Sequence, residues 1–392
     1  MHDMLRTRPA VVAISLAQAL LGTAAAPARP PLHGTAGEHA DGYPKQSADQ
    51  LQLRRMLREG RHAELNAAFA AYQQEFEKDW HREEWVDGAA SAFAHADPHL
   101  GPLLDAWVQK HPEHWAAWTC RAAHRLEAGW DARGKRFANK TPQVQLDAWR
   151  RLHDDALADL ARAAALRADV MAVHLRRIRA AGASQMVRHQ ALKDSRALCS
   201  SCFTPFRVYM PLATRRWVGT DDINASLARE LTEAQQRNPR LAWLHHPEEG
   251  VACVLKAGLR KPKIEDLEIC NVAVGKEAWA SRHTARGMIH YRMGRLDAAR
   301  ADLDRAVMLE PFGVEARATR AMVLAAQGEW VSARDDIIVA RSLSLLGDGV
   351  EEATRVVTTV FEEEARSMER RSAEVAAQFR EEGKRVREAQ PL

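Results

Sequence analysis

Cysteine and histidine clusters are the residues of this chain whose types and spacing could do chemistry. Cys199-Ser200-Ser201-Cys202 has the spacing of a redox dithiol or of half a zinc site. A zinc site needs two more ligands, and the sequence supplies no second Cys-x-x-Cys or suitably spaced His pair. A redox dithiol needs a thioredoxin-like strand and helix around it, and the flanks offer neither. Chance spacing, or a local disulfide in an oxidising compartment, is the expectation. His111-Pro112-Glu113-His114 and His245-His246 invite a metal, but the neighbouring prolines break the helical register that a His pair on one face needs. Histidines exposed at helix ends are expected there, with no metal and no cofactor.

Seven of the 11 Trp residues fall between Trp80 and Trp149. Trp130 with Arg133, and Arg216 with Trp217, could form a second surface through cation–π contacts and a guanidinium fork for carboxylate or phosphate. The simpler expectation is that these rings pack between helices with the Arg stems lying over them. No Gly-x-Ser-x-Gly elbow, phosphate-binding glycine loop or dinucleotide fingerprint is present. The chain is therefore expected to be non-catalytic.

Composition narrows the classes further. With 56 Lys+Arg against 52 Asp+Glu, the formal charge is +4 and is not gathered into basic blocks, so nucleic acid is not the expected partner. Five cysteines are too few, and odd in number, for a disulfide scaffold. Ala, Leu, Arg and Glu dominate over strand-type runs, so the 392 residues read as an all-α protein. No segment from residue 29 onward has the roughly 18 uninterrupted apolar residues of a membrane helix.

Residues 1–28 combine a basic start, about a dozen apolar residues and an Ala-x-Ala step, the pattern of a secretory signal peptide. If it is cleaved, the protein is periplasmic or secreted; otherwise it is cytoplasmic. Residues 29–47 are rich in Pro, Gly, His and Ala without a period and read as a flexible linker. Residues 48–245 read as consecutive amphipathic helices broken at Gly60, Pro98, Gly101-Pro102, Pro112, Gly134, Pro142, Gly182, Pro205, Pro211 and Pro239.

Residues 246–350 carry an internal repeat at an offset of 34. Gly294 falls on Gly328, Ala299 on Ala333, Arg300 on Arg334, Asp302 on Asp336, Leu303 on Ile337 and Ala306 on Ala340; Arg286 and Met288 fall on Arg320 and Met322. Each unit reads as a first helix, at 281–293 or 315–327, ending at a glycine that can adopt positive φ, and a second helix packing back through alanines. A fainter echo lies upstream, where Ala158-Asp159-Leu160 matches Ala301-Asp302-Leu303. Residues 351–392 are charged throughout and read as one long helix, whose Val356, Val357, Val360 and Phe361 cap the stack.

The segment 280–311 resembles the tetratricopeptide repeat family, through Gly287, the turn Gly294, the packing residues Ala299, Leu303 and Ala306, and the terminal Pro311. It departs from the family early in the first helix, where His283 and Arg286 stand in place of Trp or Leu. Gly129-Trp130-Asp131-Ala132-Arg133-Gly134, the Asp159-Leu160 helix and Arg215-Arg216-Trp217-Val218-Gly219-Thr220 make residues 65–240 resemble an uncharacterised bacterial helical family, domain of unknown function 4034. That family brings no activity with it.

The tetratricopeptide resemblance implies an α-solenoid of antiparallel helix pairs whose concave face, lined by the first helix of each pair, binds a partner protein or peptide. It places Ser281, Thr284, Met288, Tyr291, Arg292, Glu315 and Met322 on that face, with Arg292 for a partner carboxylate and the two Met for adaptable apolar contact. Two rival readings follow from other features. One is a hydrolase or transferase with a pocket built from Trp130, Arg133, Arg216 and Trp217. The other is an envelope chaperone or immunity-type protein that neutralises an exported partner.

Overall fold

The computed structural model describes residues 30–390, apart from 135, 182–183, 215–220, 246, 277–278, 345–348 and 370–372. The expected signal segment, and Arg216 and Trp217, lie outside the described residues. No helix among the described residues is long and apolar enough to cross a membrane.

The protein is an all-α solenoid of antiparallel helix pairs. Its first half contains α1 (Gln50–Arg58), α2 (His62–Lys78), α3 (Glu84–Ser91), α4 (Leu100–Lys110), α5 (Trp115–Arg133), α6 (Gln143–Leu166), α7 (Met171–Ala180), α8 (Gln185–Leu198), α9 (Phe203–Tyr209) and α10 (Asp221–Gln235). Local chemistry sets several starts: Asp49 caps α1 by accepting from the Gln52 N–H at 3.0 Å. Three of the seven rings in the Trp-rich stretch are core, and the other four are half-buried. Trp85, Trp107 and Trp115 are buried among Phe69, Tyr72 and Phe93, and the Trp107 indole donates to Asn66 at 2.9 Å.

The second half continues with α11 (Pro247–Ala257), α12 (Ile264–Lys276), α13 (Ala280–Arg292), α14 (Leu296–Leu309), α15 (Val314–Ala326) and α16 (Trp330–Leu343). The pairs α13/α14 and α15/α16 are the two units of the 34-residue repeat, and each second helix also packs along the next unit. Both turns use a glycine at positive φ, Gly294 at 73° and Gly328 at 80°. The residue after each turn donates back into the helix, Arg295 to His290 O and Glu329 to Leu324 O, both at 2.9 Å. At Gly287 a Cβ would lie 2.8 Å from Leu303 Cγ, so the close approach of α13 and α14 needs a residue without a side chain there.

The repeat also carries a polar latch. On α14, Asp302 accepts from Arg286 Nε at 2.8 Å and Nη2 at 2.7 Å, and pairs with His283 at 2.9 Å. One unit later, Asp336 accepts from Arg320 Nε at 2.6 Å and Nη2 at 2.8 Å, and from Arg317 at 2.6 Å. The upstream echo is the same device: Asp159 on α6 takes the fork of Arg121 on α5 at 2.9 and 2.7 Å, with Arg125 at 2.7 Å. All three aspartates are buried, so each stabilises its helix pair only because its guanidinium partners neutralise it.

Two expectations need correction. The linker expected at 29–47 is, over its described residues, ordered structure: β1 (Leu32–Glu38) and β2 (Pro44–Ala48) form an antiparallel hairpin pairing Leu32 with Ala48 and Gly34 with Gln46. Helix groups distant in sequence hold it. The Trp85 indole donates to Gln46 O at 3.1 Å, Asp41 pairs with Arg240 at 2.9 Å, and the buried Tyr43 donates its hydroxyl to Glu83 at 2.5 Å. The charged C-terminal stretch is helical but divides into α17 (Val350–Glu369) and α18 (Ala373–Glu388), packed on each other. Phe361, Phe379 and Val386 form the apolar seam of that pair, and Phe379 meets Trp330 of α16 with ring centroids 5.3 Å apart. The stack is capped as expected, by two helices.

Cys199 and Cys202 form a disulfide, one of the two readings open in the sequence. A second, Cys253–Cys270, joins α11 to α12, and Cys120 is a buried thiol. Closing a loop of that length is worth about 3 kcal/mol, chiefly by restricting the unfolded chain. The first helix also meets the last helix of the repeats. Helix α1 packs on α16, and the buried Arg54 donates to Ala92 O at 2.5 Å and, from the same guanidinium, to Leu343 O.

Candidate partner groove and central cavity

Helices α13, α15 and α17 frame an open cavity of about 810 Å³. Met288, Tyr291 and Met322 form its floor, and Thr319 adjoins them. Gly258 and Arg260, from the loop after α11, and Glu351, Glu352 and Arg355, from the start of α17, form its rim. Burial and the nearby Glu352 push the Tyr291 hydroxyl up from its ordinary value, so it stays protonated and able to donate.

Four of the seven residues placed on the concave face therefore meet there: Met288, Tyr291, Arg292 and Met322. Arg292 is already engaged, donating to Leu259 O at 2.8 Å and to Ala257 O, so it caps the end of α11 rather than waiting for a carboxylate. Thr284 is buried and returns its hydroxyl to Ala280 O within its own helix at 2.9 Å. Glu315 is exposed at the start of α15, outside the groove. Ser281 opens onto a different cavity. The first turn of α13 faces the N-terminal half of the chain, so only its last two turns reach the groove. The acidic and basic rim was not legible from the repeat register, because it comes from segments outside the two repeats.

Of the second candidate surface, Trp130 and Arg133 fall within the described residues. Trp130 packs in the α5/α6 pair, its ring 5.6 Å from both Trp149 and His153, with the Arg133 guanidinium 5.5 Å above it. Neither residue lines the groove or the central cavity. The histidines are absorbed locally: His111 pairs with Glu113 at 3.4 Å, His114 caps α5 through the Ala116 N–H at 3.3 Å, and His245 bonds Gln235 at 2.8 Å. His246 lies outside the described residues. No cluster of three or more metal-ligating side chains occurs among the described residues.

A central cavity of about 390 Å³ was not anticipated. Distant segments converge on it: Glu84 and Asp87 of α3, Glu127 of α5, Arg179 of α7, Arg207 of α9, Arg240 and Trp243 of the short 3-10 turn Pro239–Leu244, Trp279, and the α14–α15 loop with Glu310 and Phe312. Asp87 pairs with Arg176 at 2.9 Å and Arg207 at 3.3 Å. Burial raises that carboxyl, but the surrounding Arg176, Arg179 and Arg207 hold it below the ordinary range. Arg207 lies 4.7 Å over the Trp279 ring, and Arg240 lies 5.5 Å over Trp243 while pairing with Asp41. Burial pushes Glu127 and Glu310 up, and pulls Arg179 down to about 10 with the help of neighbouring Arg176. An adjoining cavity of about 410 Å³ shares Arg179, Arg207, Trp279 and Glu310 with it and reaches Ser281 and Arg282.

No family model matches the chain, so neither resemblance in its sequence is matched at family level. No curated protein matches it. Among solved structures, yeast Tom70 aligns with 15% identity over 81% of this chain and 62% of that one, at a TM-score of 0.35. A monomeric mutant of IFIT1 with Gppp-AAAA aligns with 13% identity over 87% of this chain and 68% of that one, at 0.32. The chain thus spans less than two thirds of the Tom70 chain. At these scores the likeness adds nothing to the architecture, which rests on this chain's own helix pairs.

Proposed function

We propose that the protein is a non-catalytic helical-repeat scaffold that holds a segment of a partner protein in the groove between α13, α15 and α17. The observation that carries this reading is the meeting of Met288, Tyr291 and Met322 on one open floor of about 810 Å³. Apolar floors with adaptable Met, flanked by charges of both signs, suit a peptide with one apolar anchor and polar neighbours. Affinity capture with the native chain, followed by identification of bound protein, is expected to yield a partner. Its binding should fall at least about tenfold in Met288→Glu/Arg355→Glu, with the melting curve unchanged. Val331→Glu, on an exposed face of α16, is the control and should bind normally. A partner that binds both variants alike would remove the groove from the reading.

We also propose an oxidising compartment, supported by the two disulfides and by the signal-like residues 1–28. Protein from its own cells is expected to alkylate only at Cys120 under denaturing, non-reducing conditions, and at all five cysteines after reduction. Its N-terminal peptide should begin beyond residue 28. Full alkylation without reductant, together with an intact Met1, would place the protein in a reducing compartment.

A further inference from the structure

We infer that the closed end of the α11/α12 hairpin docks on a bilayer surface that carries anionic phospholipid. Leu255, Leu259 and Ile264 enter the headgroup boundary, and Arg260, Lys261 and Lys263 lie against the lipid phosphates.

Exposed apolar side chains gather on this hairpin. Among the described residues eleven large apolar side chains are exposed, and five of them, Val254, Leu255, Leu259, Ile264 and Val272, belong to α11, α12 or the loop between them. Apolar groups scattered singly over a surface are ordinary, whereas a cluster marks a place of contact. Basic residues interleave with these: Lys256, Arg260, Lys261 and Lys263 fall between 254 and 264, a stretch without an acidic residue. Asp266 pairs with Lys256 at 2.8 Å and has Lys263 near it, and Arg260, Lys261 and Lys263 are all exposed. Counting Glu265 and Asp266, the balance over 254–266 is 4 − 2 = +2. Glu248 and Glu249 stand at the opposite end of α11, so the hairpin is polarised with its positive charge at the closed end.

This end is held firmly. The Cys253–Cys270 disulfide and the Lys256–Asp266 pair both cross from α11 to α12. Asp266 also accepts from the Lys263 N–H at 2.9 Å where α12 begins, and Arg292 of α13 donates to Ala257 O and, at 2.8 Å, to Leu259 O. Leu255, Leu259 and Ile264 are therefore displayed on a fixed turn, and docking costs little ordering of the chain. None of the three lines the groove or either central cavity, so they offer a protruding edge and not a cleft for a peptide. A nucleic-acid backbone would meet the basic groups and leave the aliphatic side chains in water. An anionic bilayer accepts both, aliphatic groups at the headgroup boundary and lysine and arginine at the charged surface.

Co-sedimentation of the full chain with lipid vesicles tests the assignment. Vesicles of phosphatidylcholine mixed with phosphatidylglycerol are expected to bind it at least about tenfold more strongly than phosphatidylcholine alone, and added salt should narrow the difference. Lys261→Glu/Lys263→Glu should weaken binding to the mixed vesicles at least about tenfold, and Leu259→Asn/Ile264→Asn by a similar factor, each with the melting curve of the native chain. Arg58→Glu/Lys110→Glu, at exposed positions of α1 and α4, makes the same change in net charge and should bind as the native chain does. The vesicles contain no protein, so the outcome is independent of the groove reading. Equal binding to both vesicles, binding to neither, binding retained by either tip variant, or an equal loss in the Arg58→Glu/Lys110→Glu control would overturn the assignment. So would a dimer in sedimentation equilibrium that Leu259→Asn/Ile264→Asn dissociates, because a second copy would then cover the patch.

Discussion

Replacing Asp336 with alanine is expected to destabilise the protein by about 3–5 kcal/mol, because it takes from two half-buried guanidiniums the buried carboxylate they share. Arg317 and Arg320 both aim at this carboxylate, which is itself buried. Chemical denaturation followed by circular dichroism measures the loss. The comparison is Asp304→Ala, which removes a half-exposed partner of Arg320 and Arg300 and should cost under about 1 kcal/mol. Equal effects would mean that the latch is no stronger than an ordinary surface pair. The same device at Asp302 predicts the pH dependence. Burial raises that carboxyl, but His283 and Arg286 outweigh it and hold it below the ordinary range. A carboxyl depressed in the folded state stabilises above its unfolded value, near 4, and that contribution is lost as pH falls below it. Stability should decline on acidification below about pH 4.

Glu83→Ala should be comparably severe, about 3–5 kcal/mol, because its carboxyl is a junction between segments far apart in sequence. It accepts from the Phe203 and Thr204 N–H groups at 2.7 and 2.8 Å, which are unpaired donors at the start of α9, and from the Thr204 and Tyr43 hydroxyls at 2.5 Å each. Burial, with Glu84 beside it, holds this carboxyl above its ordinary value against the pull of the Thr204 and Tyr43 donors. Removing it leaves four donors in the interior and releases the β1/β2 hairpin. Tyr43→Phe removes one of the four and should cost about 1–2 kcal/mol. Limited proteolysis should cut Glu83→Ala between residues 32 and 48 under conditions that leave the native chain whole. A Glu83→Ala protein no less stable than Tyr43→Phe would show that the carboxyl does not join these segments.

Much of the second half was legible because its periodic residues have local physical duties. Gly294 and Gly328 must take positive φ, Gly287 must admit Leu303, and the alanines must let helices approach, so a 34-residue match survives in a single sequence. The Arg–Asp latch was visible as aligned identities but not as a contact. Its signal was there: Arg286 precedes Asp302, and Arg320 precedes Asp336, by the same 16 positions, the distance across one helical hairpin. The hairpin at 32–48 was not legible, since its strands are held by Trp85, Glu83 and Arg240 rather than by any alternation of their own. Mixed charge along residues 351–388 hid the division into α17 and α18. Cys253 and Cys270 pair across two helices at a spacing that belongs to no motif. Of the groove, the floor could be read from the repeat and the rim could not. The central cavity draws on α3, α5, α7, α9 and the α14–α15 loop, and no single stretch of sequence carries its pattern.

The contact of Arg54 with Leu343 O alters how this array responds to stress. In an open repeat array each unit touches only its neighbours, so stability is nearly a sum over units and the outermost ones fray first. Here α1 rests on α16, and one buried guanidinium spans 289 positions of sequence. The first helix of the N-terminal half and the second repeat thus lose contacts together, and neither can peel away without opening the other. The molecule has the connectivity of a buckled belt: deletion of a unit, harmless in many linear arrays, would here change the circumference and pull Arg54 off the carbonyl it needs.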